Sequence, residues 1–544
     1  MSQLSRRELL AMFLGAPLAA GCSKQKPTLP PGELVGASDT LGHRLRDGFR
    51  PTVDMRGARR TSVVIVGGGV AGLAAARRLL QAEIDDFVLV ELESKPGGTS
   101  RAGTSKVVSY PWGAHYLPAP TGDNRALVDL LDEMDIFEGR DAYGDPIVAE
   151  QYLCRYPQER LFFKGQWQEG LYLHTGASRD DQEQLDRFQR EIEKWVAWRD
   201  GSGRRAFTVP MASGSDDPEV RQLDNLSMED WLDQNDFTSP RLRWFVDYAC
   251  RDDYGAHSRQ TSAWAGLFYF AARVPRPGSP SRPFITWPEG NGKLVEYLCR
   301  PLKDKLLLDY SVCDLVPRER DGQEEILVTA FHRDSVPIAF QAQQVIFAAP
   351  HFLTRFLIRD YRESPPDHVA DFEYGAWSVA NLTLTDRPFS RGFPLAWDNV
   401  LYESPSLGYV TATHQRGLDY GPTVLTYYYP LCDEDVRRAR QRLLETDRDG
   451  WTDIALTDLE RAHQGLRSQT ERVDVMRWGH AMVRPRPNFV WGSARLKAGQ
   501  PYRGIHFAHS DLSGIALFEE AFYRGTLAAE QVINRLGVTS NSVL

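Results

Sequence analysis

The stretch Val63-Val64-Ile65-Val66, running directly into Gly67-Gly68-Gly69-Val70-Ala71-Gly72 and then Leu73-Ala74-Ala75-Ala76-Arg77-Arg78-Leu79-Leu80, constrains this chain more than any other. A short β-branched run reads as a buried strand, and the Ala/Leu/Arg run as a helix. Between them, Gly67 permits a tight turn, Gly69 lets the backbone approach a pyrophosphate, and Gly72 lets the helix pack close to the strand. Val70 and Ala71 open the helix, where free N–H groups and the dipole favour negative charge. A second strand, Phe87-Val88-Leu89-Val90, ends in Glu91, whose carboxylate can accept hydrogen bonds from a ribose 2'-OH and 3'-OH and disfavours a 2'-phosphate. Strand, glycine loop, helix, strand and acid in this order specify an α/β dinucleotide-binding unit.

The rest of the chain narrows the partners. With 544 residues, 42% hydrophobic, it can bury a large core and form two domains. The balance of 64 basic against 73 acidic residues, without a long basic block, argues against nucleic acid as a partner. Six scattered cysteines, with no C-x-x-C pair and no zinc-like His spacing, indicate neither a disulfide scaffold nor a metal site.

Residues 1–22 read as an address. Ser5-Arg6-Arg7-Glu8-Leu9-Leu10 followed by an apolar run to Ala20 fits a twin-arginine secretion signal, and Leu18-Ala19-Ala20-Gly21-Cys22 resembles a bacterial lipobox, with Cys22 as the lipidated residue. The expectation is a folded protein exported to the periplasmic side and held at a membrane by lipid. The Pro- and Gly-rich residues that follow read as a flexible tether over 23–60. Helices are expected over 183–198 and 434–446, and the aromatics Trp264, Phe268, Tyr269 and Phe270 are expected in the core.

After Glu91 comes a second glycine pair, Lys95-Pro96-Gly97-Gly98-Thr99-Ser100-Arg101. Further on stand Trp287-Pro288-Glu289-Gly290-Asn291-Gly292, Gln344-Val345-Ile346-Phe347-Ala348-Ala349-Pro350, and finally Gly504-Ile505-His506-Phe507-Ala508-His509-Ser510-Asp511 with Gly525-Thr526-Leu527. In this order the segments resemble the flavin-containing amine oxidase superfamily, which includes monoamine and polyamine oxidases, protoporphyrinogen oxidase and phytoene desaturases. The resemblance implies a Rossmann-like FAD-binding domain of the double-glycine type (61–118, 285–350, 488–537) with an interleaved α+β substrate domain (119–284, 351–487). It implies non-covalent FAD, held by Gly67, Gly69, Val70, Ala71, Gly72, Glu91, Gly97, Gly98, Thr99, Arg101 and Asp511, the last on the ribityl or phosphate groups.

For the chemistry, the resemblance implies hydride transfer from a substrate carbon to flavin N5, with oxygen or a quinone as acceptor and a small molecule or lipid as substrate. His115, as base or as a hydrogen-bonded structural residue, Tyr428 and Trp478 are the candidates beside the flavin, with His480 near Trp478. The chain departs from the family at His509, where a glycine is usual, at Leu517 and Glu520 near the start of the last helix, and at Ala380 or Asn381, where many amine oxidases carry a lysine. These departures leave open a desaturase or isomerase of a polyene or lipid, or a flavin-bearing accessory protein without turnover.

Overall fold

The computed structural model describes residues 28–544 apart from 321, 433 and 434. Cys22 and the paired arginines lie outside the described residues. The glycine-loop unit forms as its sequence dictates: strand Arg59–Val66, helix Val70–Gln81 and strand Phe87–Val90. Arg59–Val66 pairs in parallel with Phe87–Val90 on one side and with Pro337–Phe347 on the other. Leu306–Leu307, the hairpin of Tyr310–Arg320 with Gln323–His332, and Ile505–Phe507 complete a seven-stranded sheet.

The second sheet has eight strands. Its centre is Tyr374–Leu384, buried along its whole length between Thr470–Val483 and Thr423–Pro430. A helical layer of Arg179–Ala197, Pro240–Tyr254 and Ala263–Ala271 joins it, with Trp264 and Phe268 in an aromatic core; Tyr269 and Phe270 are only half-buried. The first of these helices starts four residues earlier than the apolar spacing suggests, because Ser178 and Asp181 form a reciprocal capping box that satisfies the open N–H groups. The other expected helix runs Val436–Glu445, capped by Asp435.

The tether reading of 23–60 is corrected from residue 28 onward. Leu34–Gly36 is a strand, parallel to Thr470–Val483, and Asp39–Arg46 is a helix that buries Leu41 and Leu45 in the apolar cluster that holds Val64, Val66 and Val88. A three-residue strand has no periodicity to read, and the residues leading into it are held by the distant Val473 and Val475 N–H groups, which donate to the Pro31 and Glu33 carbonyls. Among the described residues no helix is long and apolar enough to cross a membrane.

Candidate active site

The dinucleotide loop is built by backbone constraints. Gly67 has φ +103°, and a Cβ on Gly72 would lie 1.9 Å from the Gly67 carbonyl oxygen, so neither position admits a side chain. The C-terminal helix Phe518–Arg535 crosses the loop helix as closely, since a Cβ on Gly525 would lie 2.0 Å from the Ala71 oxygen. Gly69 differs: its φ is −70° and nothing stands within 4 Å of the point a Cβ would occupy. That open space belongs to a cavity of about 1510 Å³ bordered by Gly67, Gly69, Val70, Ala71, Glu91, Gly97, Gly98, Thr99 and Asp511. The second glycine pair is hooked onto the first by Gly97 N donating to Gly68 O at 2.8 Å.

Glu91 is buried, with Oε2 accepting from Gly68 N at 2.6 Å and Oε1 from Glu93 N at 2.8 Å. Burial pushes its carboxyl up to about 7, the two backbone donors pulling the other way. Arg101 does not border the cavity: it donates to Gly36 O at 3.3 Å and sits 3.7 Å from Glu93, whose carboxylate also accepts from Ser38 N at 2.6 Å. The N-terminal strand and helix are thereby strapped across the dinucleotide site, and Ala37, Ser38 and His43 form part of its wall. Asp511 borders the cavity, but its carboxylate is engaged by the protein, Oδ2 accepting from His351 N at 2.9 Å and Tyr374 OH at 2.6 Å. Burial raises this group, yet His509, 3.0 Å away, and the two donors outweigh it and hold it below the usual carboxylate range. His509 thus has a local role, and Glu520 likewise, its Oε1 accepting from Met211 N at 2.6 Å and so tying the last helix to the segment around Met211.

The same cavity continues past the second glycine loop to His115, Tyr428 and Trp478. Tyr427-Tyr428-Tyr429 alternates faces: Tyr428 turns to the cavity side, its OH donating to Gly113 O at 2.9 Å, while Tyr427 and Tyr429 pack in the core behind. His115 stacks on Tyr428 with centroids 4.8 Å apart, and its Nδ1–H donates to Gly113 O at 3.2 Å. Burial lowers His115 to about 4, so at neutral pH it is uncharged, with Nε2 left as a weakly basic acceptor. Trp478 is fixed by Nε1 donating to Trp112 O at 2.7 Å, and His480 stacks on Phe352 at 4.1 Å.

Of the strand Tyr374–Leu384, Tyr374, Trp377 and Val379 border the cavity; Ala380 faces the opposite core, and Asn381 is tied to Pro111 O and Thr426. No lysine stands at any of these positions.

Sequence reading missed the inner end of the cavity, where Asp252 and Asp253 of helix Pro240–Tyr254 meet Asp398, Tyr248, Tyr116 and Arg273. Arg273 pairs with Asp253 at 2.9 and 3.1 Å, and Tyr116 OH donates to Asp253 at 3.3 Å. Burial, then repulsion from Asp253, pushes Asp252 up to about 7, and burial raises Asp398 well above the usual range. The adjacent acids of Arg251-Asp252-Asp253-Tyr254, in a helix that also carries Trp244, Phe245 and Tyr248, were the available signal.

The residues fit a dinucleotide cofactor: Gly69 faces open space, and Asn291 Oδ1, buried at the cavity wall, has no hydrogen-bond partner among the described residues. Loop, acid and cavity together define an α/β dinucleotide-dependent oxidoreductase. A family model described as flavin containing amine oxidoreductase matches residues 70–533, and the chain belongs to that family, with FAD as its cofactor. Solved structures with the same fold include a putrescine oxidase bound to putrescine (17% identity, TM-score 0.62, covering 88% of this chain and 100% of that one). Another is the cyclohexylamine oxidase of Brevibacterium oxydans IH-35A (14% identity, TM-score 0.59, covering 88% and 99%). A sequence search of the curated proteins finds no match.

Glu91→Ala is expected to weaken FAD binding by about 1.5–3 kcal/mol, the range for hydrogen bonds to a charged group. Ribose hydroxyls that donate to the carboxylate lower its pKa from about 7, so binding releases a proton and wild-type affinity falls as the pH drops below about 7. Titrating apoprotein with FAD by fluorescence quenching checks both; Glu91→Ala loses this pH dependence.

Proposed function

We propose that the protein oxidises an amine, a hydride leaving the carbon that bears the nitrogen. The observation that carries this reading is the unbroken cavity from the two glycine loops to His115, Tyr428 and Trp377. When bound, FAD supplies a two-electron acceptor for that hydride. The chain's own residues orient and desolvate. Tyr428 and Trp478 are immobilised by carbonyl acceptors, so their faces stand ready to position an alkyl chain or a cation. His115, being neutral, can accept a hydrogen bond from an ammonium without repelling it. The nitrogen must also lose a proton, giving an imine that water hydrolyses to a carbonyl product and ammonia, or an amine where the nitrogen carries a second carbon. Oxygen or a quinone then takes the electrons. The acids Asp252, Asp253 and Asp398 on the cavity wall disfavour an apolar polyene as substrate.

The reading includes the address: export in folded form and lipid on Cys22 place the reaction at a membrane facing the periplasm, and the cofactor is loaded before export. Anaerobic mixing of the yellow protein with simple amines tests the chemistry, and loss of the flavin absorbance is the expected result. Bleaching by lipid extract but by no amine, or by neither, sinks it. Labelling with a fatty-acid analogue should mark the wild type and spare Cys22→Ser.

A further inference from the structure

We propose that Glu519, in the first turn of the C-terminal helix Phe518–Arg535, is the base that takes a proton from the substrate's ammonium before the hydride leaves. The proposal deepens the amine reading above and rests on it. Glu519 borders the cavity, is 5% exposed, and has no hydrogen bond or ion pair with any other described residue; only its own backbone N–H, an open donor of the first turn, reaches the carboxylate. The fold fixes where it stands. Gly525 of the same helix presses on Ala71 in the dinucleotide-loop helix, and Glu519 lies nearer the N-terminus by about 9 Å along the axis, within electrostatic reach of Arg273 and Asp253. It therefore sits between the cofactor loop and the acid end of the cavity. Competing groups in the cavity are less suited. His115 is too weak a base, Asp511 is held by His351, Tyr374 and His509, Asp253 is committed to Arg273, and Glu91 is held by two backbone N–H groups at the dinucleotide end. Asp252 and Asp398 are only half-buried. A carboxylate buried without a partner is costly, and a proton relieves that cost. Burial pushes Glu519 up to about 7 against its own N–H and Arg273, with repulsion from Glu520 and Asp253 adding to the rise. In the step itself an N–H bond of the ammonium breaks, its electron pair stays on nitrogen, and the proton goes to a Glu519 oxygen. The neutral amine then loses hydride from the adjacent carbon to the flavin, the nitrogen lone pair closing the C=N bond.

The test is anaerobic single-turnover reduction of the FAD-loaded protein by n-alkylamines, followed from acid to alkaline pH. The carboxylate must be ionised to accept the proton, so the ratio of reduction rate to Kd in the wild type is expected to rise as the pH climbs through about 7. Glu519→Gln should lose this limb and react roughly 100-fold more slowly or worse near neutral pH, the usual scale of a general base. Its deficit should close toward the amine's own pKa of about 10, where solution supplies the neutral amine. Asp252→Asn should keep the limb. A tetraalkylammonium ion, which has no proton to give, reads the same ionisation without turnover: its affinity, followed through the flavin spectrum, should rise through about 7 in the wild type and stay flat in Glu519→Gln. A wild-type profile that rises only toward the amine's pKa overturns the proposal without any variant having to fold. A limb that survives Glu519→Gln, or that Asp252→Asn abolishes, overturns the assignment to Glu519 while the amine reading stands. Failure of every amine to bleach the flavin overturns the amine reading itself.

Discussion

Gly69→Val is expected to give a folded, colourless protein. The φ of −70° at this position suits an L-residue, and the open space around it accepts the side chain without touching the protein. What the isopropyl group fills is the cavity next to the helix N-terminus, where the pyrophosphate's charge would meet the free N–H groups. The fold should therefore survive while FAD is lost, which thermal melts, circular dichroism and the absorbance of the purified protein will separate. Gly72→Val is the contrast: its Cβ would collide with the Gly67 oxygen, so that variant should lose the loop and stability together. A Gly69→Val protein that purifies yellow would refute the site assignment.

Arg273→Met is expected to cost about 3–5 kcal/mol of stability, the usual result of removing one partner from a buried ion pair. Arg273 and Asp253 are 8% and 4% exposed, and Asp252 and Asp398 stand close by without a cation of their own. Loss of the guanidinium raises the Asp253 pKa above its value in the wild type, since Arg273 is what lowers it against burial. The variant can then relieve its buried charge by taking up a proton. Its deficit should be largest at high pH and shrink as the pH falls, and adding Asp253→Asn should restore part of the lost stability. Equal deficits at all pH values, or full additivity of the two substitutions, would show that packing and not charge pairing dominates.

The cofactor end was legible because its constraints are local. The turn at Gly67, the close approach at Gly72 and the strand ending in Glu91 are set within a few dozen consecutive residues, and each glycine stands where a Cβ has no room or would crowd a ligand. Distant segments joined this unit legibly where they carried their own signature, as in Gln344–Phe347, which pairs with Val63–Val66. The strand at Leu34–Gly36 carried none. Its residues look like linker composition, and only the exposed edge of Thr470–Val483 gives its backbone groups partners.

By itself the sequence determined that this chain has a parallel dinucleotide-binding core, with a second glycine loop and a closing C-terminal helix that place it among flavin-dependent oxidoreductases. Only the tertiary structure decided what faces the reaction chamber. Which residues of Tyr374–Leu384 line it depends on a pairing register with a strand 86 to 109 residues away in sequence, and a shift of one residue reverses the face. Whether Asp252, Asp253 and Asp398 are solvated surface or buried charge depends on a helix and a strand far apart in sequence packing around one arginine. Charge carries no periodic mark of its own in a sequence; its meaning comes from the dielectric and the partners that folding assembles around it.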